Sequence, residues 1–376
     1  MDVPGRSREA EDGLRLTQAL PAEGLRLGRF SPLRLLLSLL VSGAVVYGLL
    51  RFAQVPPGQI WSTLKNTSPA AVLCGLLLHF ATYCLRCLRF RLLVHSRSVP
   101  VKRLLDIVLV HNFMNHFLPL RAGELTYVYL LRRREGVPVA EGLTTLVISR
   151  CLDLVSFTLY YPLAILALHL GGFAFPPFVR RALWAAALLF LLLMALLVAL
   201  SWKGRALLDR FERTSWVRGL RRRSRLAKLV LDKLEEVSLG FEHLGNRRIY
   251  WKALALSLAT LGLVYLVGYV LLTGMGYFIS FPLIIVCSTL ASLGFMLPLY
   301  SFGGFGTLEA GWTVGCMMAG FSKEMALASG FSFHILVLAY VTLMGIVGMV
   351  RIGASGGRGP EEPLFCQERA PGRKEP

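Results

Sequence analysis

Ionisable residues are rare inside the apolar stretches of this sequence, and they are the side chains most able to do chemistry there. They are Asp106, Arg121, Glu124, Arg150, Asp153 and Glu309, with His111, His116 and His334 beside them. A charge in the bilayer interior costs about 2.5–3.5 kcal/mol on insertion scales, so it normally faces a protein interior or a water-filled cavity. We therefore expect these side chains to point into a helix bundle.

Two pairs of opposite charge have a spacing of three residues. Arg150 and Asp153 share one helix face, where they form either a structural ion pair or part of a binding site. Arg121 and Glu124 stand beside Gly123, where a hairpin is expected to turn. A turn near the midplane of the membrane is well placed to meet a ligand, which favours a functional role for this second pair.

A polar strip runs along residues 111–116. His111 with Asn115, and Asn112 with His116, are four residues apart, so each pair shares a helix face. Such a strip must face protein or water. Metal binding needs more ligands than are visible here, so hydrogen bonding between helices is the expected role. Asn112 and Asn115 are candidate binding residues.

A glycine-rich segment, residues 301–306, contributes Gly303, Gly304 and Gly306 and leads into Glu309. It lacks the Gly-Lys-Ser/Thr ending of a P-loop. Two interpretations remain open. The glycines allow helices to pack closely, or the backbone N–H groups at the start of the following half-helix bind an anion such as a phosphate.

Other catalytic or metal-binding patterns are missing from the sequence. There is no Ser-His-Asp arrangement, no paired cysteine and histidine set and no carboxylate cluster with metal-ligand spacing. The segment Cys84-Leu85-Arg86-Cys87 matches C-x-x-C, but it stands alone at a helix end. We expect no metal, no cofactor and no enzymatic activity.

The elements that carry these residues are hydrophobic helices. The chain is 55% hydrophobic and only 17% charged, which predicts an all-α polytopic membrane protein. About 20 apolar residues are needed to cross a bilayer as a helix. Six full spans are predicted, at Leu35–Leu50, Ala70–Leu85, Leu143–Leu168, Ala182–Leu200, Leu254–Thr273 and Met325–Val350. Two further segments, Leu104–Leu131 and Phe281–Gly320, are predicted to be re-entrant hairpins.

The net charge of +19 is concentrated in blocks that flank the spans. The basic blocks are Arg6–Arg34, Arg86–Arg103, Arg121–Arg134 and Lys203–Lys252. The positive-inside rule places these blocks and both termini on the cytoplasmic side of the membrane. We therefore expect a multi-pass protein of the cell (cytoplasmic or inner) membrane. Because the blocks flank spans, they indicate affinity for anionic lipid headgroups rather than for nucleic acid.

The two hairpins resemble each other, and they are entered from opposite sides of the membrane. Each contains Leu-Pro, then a glycine and a glutamate, then a further glycine. The same fourteen-residue distance separates Gly136 from Arg150 and Gly320 from His334. This predicts an inverted-topology repeat, in which a site between the halves opens alternately to each side. The hairpins should line a polar cavity near the midplane.

The repeat defines the expected domain organisation. A basic cytoplasmic tail (1–32) precedes the membrane domain (33–352), and a disordered cytoplasmic tail (353–376) follows it. Within the membrane domain we expect repeat 1 at about 33–170 and repeat 2 at about 180–352, with a basic amphipathic cytoplasmic linker at 203–252.

Together these residues resemble the flippase-like transmembrane domain of the lysylphosphatidylglycerol synthase family. The similar pattern is Asn115, Pro119-Leu120-Arg121-Ala122-Gly123-Glu124, Arg132, Gly136, Ser149-Arg150 and Asp153, followed by Pro298, Gly303-Gly304-Phe305-Gly306, Glu309 and Gly320. It covers roughly residues 30–352. The resemblance implies handling or movement of a phospholipid or polyprenyl-linked lipid, and archaeal relatives are linked to dolichol-phosphate sugars.

The sequence departs from the family pattern in three respects. Tyr127 and His334 stand where arginines are expected, and the aminoacyl-transferase domain of the full-length synthases is absent, so we expect no synthesis of lysylphosphatidylglycerol. The leading hypothesis is a lipid transporter in which Arg121 and Arg150 pair with an anionic headgroup. A membrane-embedded enzyme or accessory subunit for polyprenyl-phosphate sugars is the second hypothesis, and a scaffold for envelope proteins is the third. All three hypotheses are compatible with a homo-oligomer or with a partner protein from envelope biosynthesis.

Overall fold

The computed structural model describes residues 43, 46–51, 55–118, 123–192, 195, 247–296 and 304–354. Within these ranges the regular structure is helical. The helices are α1 (Pro57–Lys65), α2 (Pro69–Leu93), α3 (Val101–Phe117), α4 (Gly123–Glu135), α5 (Val139–Leu170), α6 (Arg247–Gly274), α7 (Phe281–Met296), α8 (Thr307–Met318) and α9 (Lys323–Ala354). Residues 46–51 and 177–192 are also helical.

Four of the described helices are long and apolar enough to cross a bilayer, namely α2, α5, α6 and α9. Each contains one of the predicted spans. Large apolar side chains such as Leu77, Leu166 and Val347 stay exposed on them, as expected for faces that meet lipid. The protein is therefore an α-helical, multi-pass membrane protein.

The remaining predicted spans and tails lie mostly outside the described residues. Of span 35–50, only residues 43 and 46–50 are described, and of span 182–200 only 182–192 and 195. The tails 1–32 and 355–376 and most of the linker 203–252 lie outside the described part of the chain, so their predicted character stays a prediction.

The helix that contains the second predicted span is longer than that span. We expected it to end at Leu85 and to release a cytoplasmic basic block from Arg86, but α2 continues to Leu93. Arg89 is only 2% exposed. The hydropathy pattern missed this extension because it treats each arginine as a solvated charge, whereas partners on other helices satisfy the charge here.

The two pairs of shorter helices, α3 with α4 and α7 with α8, correspond to the two predicted hairpins. The start of α3 and the end of α4 lie at one end of the bundle, because both contact the end of α9. Arg351 Nε lies 3.0 Å from Asp106 Oδ1, and Arg134 Nη2 donates to the Ile352 carbonyl oxygen at 2.9 Å. The chain therefore enters and leaves the first pair at the same end of the bundle.

The opposite end of the bundle is marked by the start of α2 and the end of α6. The Ser68 backbone N–H donates to the carbonyl oxygen of Gly274 at 3.0 Å, so these two helices run antiparallel. At the other end of α2, the His95 N–H donates to Glu141 Oε1 at 2.7 Å, close to the start of α5.

Helices from one half of the chain pack against helices from the other half. The helices α2 and α6 pack against each other, while α3 packs on α9 and α7 packs on α5. The first helix of each short pair therefore rests on the last long helix of the other half, while the second helix packs on the last long helix of its own half. Small residues permit the close approach within the second pair, since a Cβ at Gly315 would lie 2.9 Å from Cys287 Cα.

Both short pairs end in the same type of turn. Gly136 follows α4 with a φ of 68°, and Gly320 follows α8 with a φ of 89°. This left-handed conformation is favourable for glycine and strained for other residues. The two glycines that were matched by sequence thus perform the same backbone task.

Candidate functional site

A cavity of about 420 Å³ lies within the bundle and is lined by α2, α3 and α5 from the first half and by α6, α7, α8 and α9 from the second. One part of its wall is polar and includes Arg86, Asn112, Asn115, Arg150, Asp153 and His334. Another part is apolar and includes Leu154, Phe157, Leu261, Val264 and Leu308. The cavity is amphipathic, and both short helix pairs contribute residues to its wall.

Arg150 and Asp153 belong to a larger ion-pair network. Arg150 Nη1 lies 3.4 Å from Asp153 Oδ2, and Arg150 Nη2 lies 2.9 Å from Glu124 Oε1 on α4. Asp153 also forms an ion pair with Arg89, whose Nη1 donates to Ser257 Oγ at 2.7 Å. The structural ion pair is therefore present, and it forms part of the cavity wall; the role of the two residues in a binding site stays a prediction.

Arg86 is held differently from Arg89, although the two arginines are one helical turn apart. Its Nη1 donates to Asn112 Oδ1 at 2.7 Å, and Asn112 Nδ2 in turn donates to the Val108 carbonyl oxygen at 2.8 Å. Arg86 takes part in no ion pair among the described residues. Arg86 thus lines the cavity with a neutral amide as its hydrogen-bond partner and with the carboxylate of Asp153 near enough to interact with its charge.

The polar strip of α3 makes the expected contacts between helices, but its members are divided. Asn112 binds α2 through Arg86, while His111 Nδ1 lies 2.9 Å from the Gly123 carbonyl oxygen of α4. His116 contacts the Asn112 carbonyl oxygen within α3 at 2.8 Å. Asn115 Oδ1 is buried and has no hydrogen-bond partner within the described part of the chain.

Glu309 and His334 form a buried pair on the second half. His334 Nδ1 lies 2.6 Å from Glu309 Oε1, and the two residues are 2% and 0% exposed respectively. Glu309 Oε2 accepts the Gly306 N–H at 2.7 Å, at the start of α8. The protein's own carboxylate therefore binds one backbone N–H at this half-helix N-terminus, and the two interpretations of the glycine-rich segment both stay predictions.

The structure describes only some of the remaining predicted site residues. Gly304 and Gly306 both adopt positive φ, at 79° and 92°, which forms the turn into α8. Arg121 and Gly303 lie outside the described residues, and their predicted roles stay predictions.

Sequence reasoning missed Arg86 and Arg89 as site residues. A signal was available, since the two arginines share a helix face next to a long apolar run. Cys84 and Cys87, on either side of Arg86 in the sequence, are both free cysteines and form no disulfide with each other. Among the described residues, no group of three metal-ligating side chains occurs.

Comparison with known proteins defines the family. The chain belongs to the lysylphosphatidylglycerol synthase TM region family, whose model matches residues 35–345. The resemblance that was expected from the sequence is confirmed. As a multi-pass member of this lipid-related family, the protein interacts with membrane lipids.

A curated relative is the Glycosyltransferase AglD of Haloferax volcanii. It is 24% identical to this chain over 104 residues, which cover 27% of this chain and 17% of the relative. The chain therefore matches less than a fifth of that protein's length.

Proposed function

We propose that this protein moves an anionic lipid between the two leaflets of a cell membrane, with the headgroup in the central cavity. The observation that carries the proposal is the amphipathic cavity of about 420 Å³, which is lined by both halves of the chain. Cationic and amide side chains suit a phosphate-bearing headgroup. The adjoining apolar wall suits the upper part of the acyl or polyprenyl chains.

Arg150 is the residue most able to change partners during transport. Its side chain is 37% exposed, and it lines the cavity while it contacts the carboxylates of Glu124 and Asp153. A lipid phosphate can replace one carboxylate at the guanidinium group without leaving a buried cation unpaired. Arg121, Asn115 and the glycines at 303 and 304 are proposed to complete the headgroup site.

We propose that the two halves exchange conformations as an inverted repeat of six spans and two re-entrant hairpins. The exchanged packing of α3 on α9 and of α7 on α5 supports this arrangement. Both termini and the linker 203–252 are cytoplasmic in this proposal. The described end of the bundle that carries Asp106, Arg134 and Arg351 would then face the cytoplasm.

A second candidate function is favoured by one observation, the similarity to a protein named a glycosyltransferase. In this alternative the cavity holds a polyprenyl-phosphate-linked lipid for an enzymatic reaction, or presents it to a partner enzyme. The same cationic wall would serve either function, so the experiment must measure movement of the lipid directly.

The test is a lipid-translocation assay in proteoliposomes with acyl-labelled fluorescent phosphatidylglycerol. The label in the outer leaflet is quenched chemically, and the protected fraction reports the inner leaflet. We expect the wild type to reduce that fraction, and Arg150→Gln or Glu124→Gln to slow the exchange about tenfold or more. Arg91→Gln is the matched control, because Arg91 is exposed in the last turn of α2. Unchanged lipid distribution with wild-type protein contradicts transport.

A further inference from the structure

The buried pair on the second half differs from its counterpart on the first half in one chemical respect. His334 Nδ1 lies 2.6 Å from Glu309 Oε1, and the two residues are 2% and 0% exposed respectively. The corresponding glutamate on the first half, Glu124, is paired with Arg150. Histidine can take up or release a proton near neutral pH, whereas arginine keeps its proton. Of these two pairs, the one on the second half can therefore exchange a proton.

The proton decides whether this pair is neutral. An imidazolium group beside a carboxylate has no net charge. After loss of the proton, the Glu309 carboxylate keeps the Gly306 N–H as a hydrogen-bond donor, at 2.7 Å, but loses the positive charge beside it. A buried carboxylate without a cation is costly, so the packing of α8 on α9 is compatible with the proton-loaded pair. Loss of the proton favours a different conformation, in which the carboxylate reaches water.

Charged groups on α2, α3 and α5 face the cavity that His334 lines. His116 on α3 interacts electrostatically with His334, and it also interacts with Arg86 on α2. On α5, Arg150 and Asp153 line the same cavity and contact each other. Because His334 shares the cavity with these groups, a charge that enters the cavity acts directly on the protonation of His334.

The other helices that pack on α8 and α9 contribute no further charge to this region. The helix α7 has no charged residue, α6 has none after Lys252, and the only charged residue of α1 is the exposed Lys65. The net charge of the pair is therefore set by its own proton and by what enters the cavity. Other titratable side chains on the packed helices and near this region are His79 on α2, His111 on α3, Tyr265 on α6 and Cys287 on α7.

We infer that the Glu309–His334 pair is a proton-binding site, and that one proton crosses the membrane with each anionic lipid, in the same direction. This inference rests on the proposed function for the movement of the lipid, and it adds the ion that is coupled to that movement. A negative headgroup in the cavity and a proton on the pair attract each other, so each favours binding of the other. The two are therefore carried in the same conformation. The proton is taken from water on one side of the membrane and returned to water on the other.

The experiment uses the full-length chain in phosphatidylcholine proteoliposomes, with a trace of acyl-labelled fluorescent phosphatidylglycerol as the anionic lipid. The outside is made more acidic than the inside by about one pH unit, and chemical quenching measures the label in each leaflet. Coupled movement of one proton per lipid should enrich the label in the inner leaflet about tenfold, because one pH unit supplies a tenfold driving force. At equal pH the label should divide equally. Protein-free vesicles under the same pH difference measure the movement that needs no protein.

Two variants remove the exchangeable proton by independent routes. His334→Arg keeps a cation beside Glu309 but holds its proton permanently, as Arg150 does in the first half. Glu309→Gln removes the carboxylate and keeps the shape of the side chain. Both variants should move the label without enriching it in either leaflet. His169→Gln, an exposed histidine near the end of α5, is the matched control and should keep the tenfold enrichment.

Three results would overturn the inference. The wild type could move the label but divide it equally despite the pH difference, the label could collect in the leaflet on the acidic side, or the enrichment could persist in both variants. Each of these results leaves the transport proposal standing, since the label still moves. A label that moves neither with nor without the pH difference contradicts the transport proposal and this inference together. If His334→Arg does not fold, Glu309→Gln still decides.

Discussion

His334 Nδ1 lies 2.6 Å from Glu309 Oε1, and this pair occupies the same place in the second half as Arg150 with Glu124 in the first. In the first half, Arg150 Nη2 lies 2.9 Å from Glu124 Oε1. In both pairs the glutamate stands near the start of the second short helix, and its partner stands on the following long helix. The glutamate therefore has a permanently charged arginine as its partner in the first half and a histidine in the second.

The Glu309–His334 pair should be important for stability. Glu309→Ala leaves His334 and the Gly306 N–H buried without their partner, so we expect a loss of about 3 kcal/mol. Glu309→Gln keeps one acceptor oxygen but cannot serve both groups, and about 1 kcal/mol is expected to be lost. Thermal unfolding in detergent measures both effects. Glu324→Gln, in the first turn of α9 and outside any described ion pair, is the control. Equal unfolding temperatures for all three variants would contradict the buried pair.

The Glu124–Arg150 contact should show energetic coupling between α4 and α5. A double-mutant cycle with Glu124→Gln and Arg150→Gln is expected to give about 1–2 kcal/mol of coupling, since the contact is partly buried. The control cycle combines Glu124→Gln with Arg103→Gln, because Arg103 pairs instead with Glu135. Coupling near zero in both cycles would mean that Glu124 and Arg150 do not interact in solution.

Asp153 should matter more for folding than Arg150. Asp153→Ala leaves Arg89, which is 2% exposed, without its carboxylate, so we expect destabilisation by about 3–5 kcal/mol. The double variant Arg89→Met with Asp153→Ala should recover part of that loss, because no uncompensated charge stays buried. The measurement is the unfolding midpoint of detergent-solubilised protein. A double variant less stable than Asp153→Ala alone would exclude this explanation.

The proposed topology places the two ends of α2 on opposite sides of the membrane. In a cysteine-free background, Phe278→Cys is expected to react with an impermeant maleimide from outside intact cells, since Phe278 is 82% exposed beside the end of α6. Arg97→Cys, in the exposed segment after α2, should react only after permeabilisation. Labelling of both positions from the same side would contradict the inverted repeat.

Much of the fold followed from local patterns. The four described spanning helices and the two short helix pairs were expected from hydropathy and from glycine and proline spacing, and the sequence also matched Gly136 with Gly320, which both adopt positive φ. The end of α2 was missed, because hydropathy scores Arg86 and Arg89 as solvent-seeking whatever faces them. The sequence also could not show that Asp153 pairs with Arg89 or that Arg150 pairs with Glu124, because these partners lie on other helices.

The sequence by itself determined which segments are apolar enough to lie in a membrane and which rare charges lie among the apolar residues. These properties are local, since the cost of placing a side chain in the bilayer is set residue by residue. The tertiary structure alone decided which charge meets which. Arg89 and Asp153 are 64 residues apart, and Glu309 and His334 are 25 apart. Their pairing depends on the direction of each side chain across a helix interface, and that direction exists only once the helices have packed.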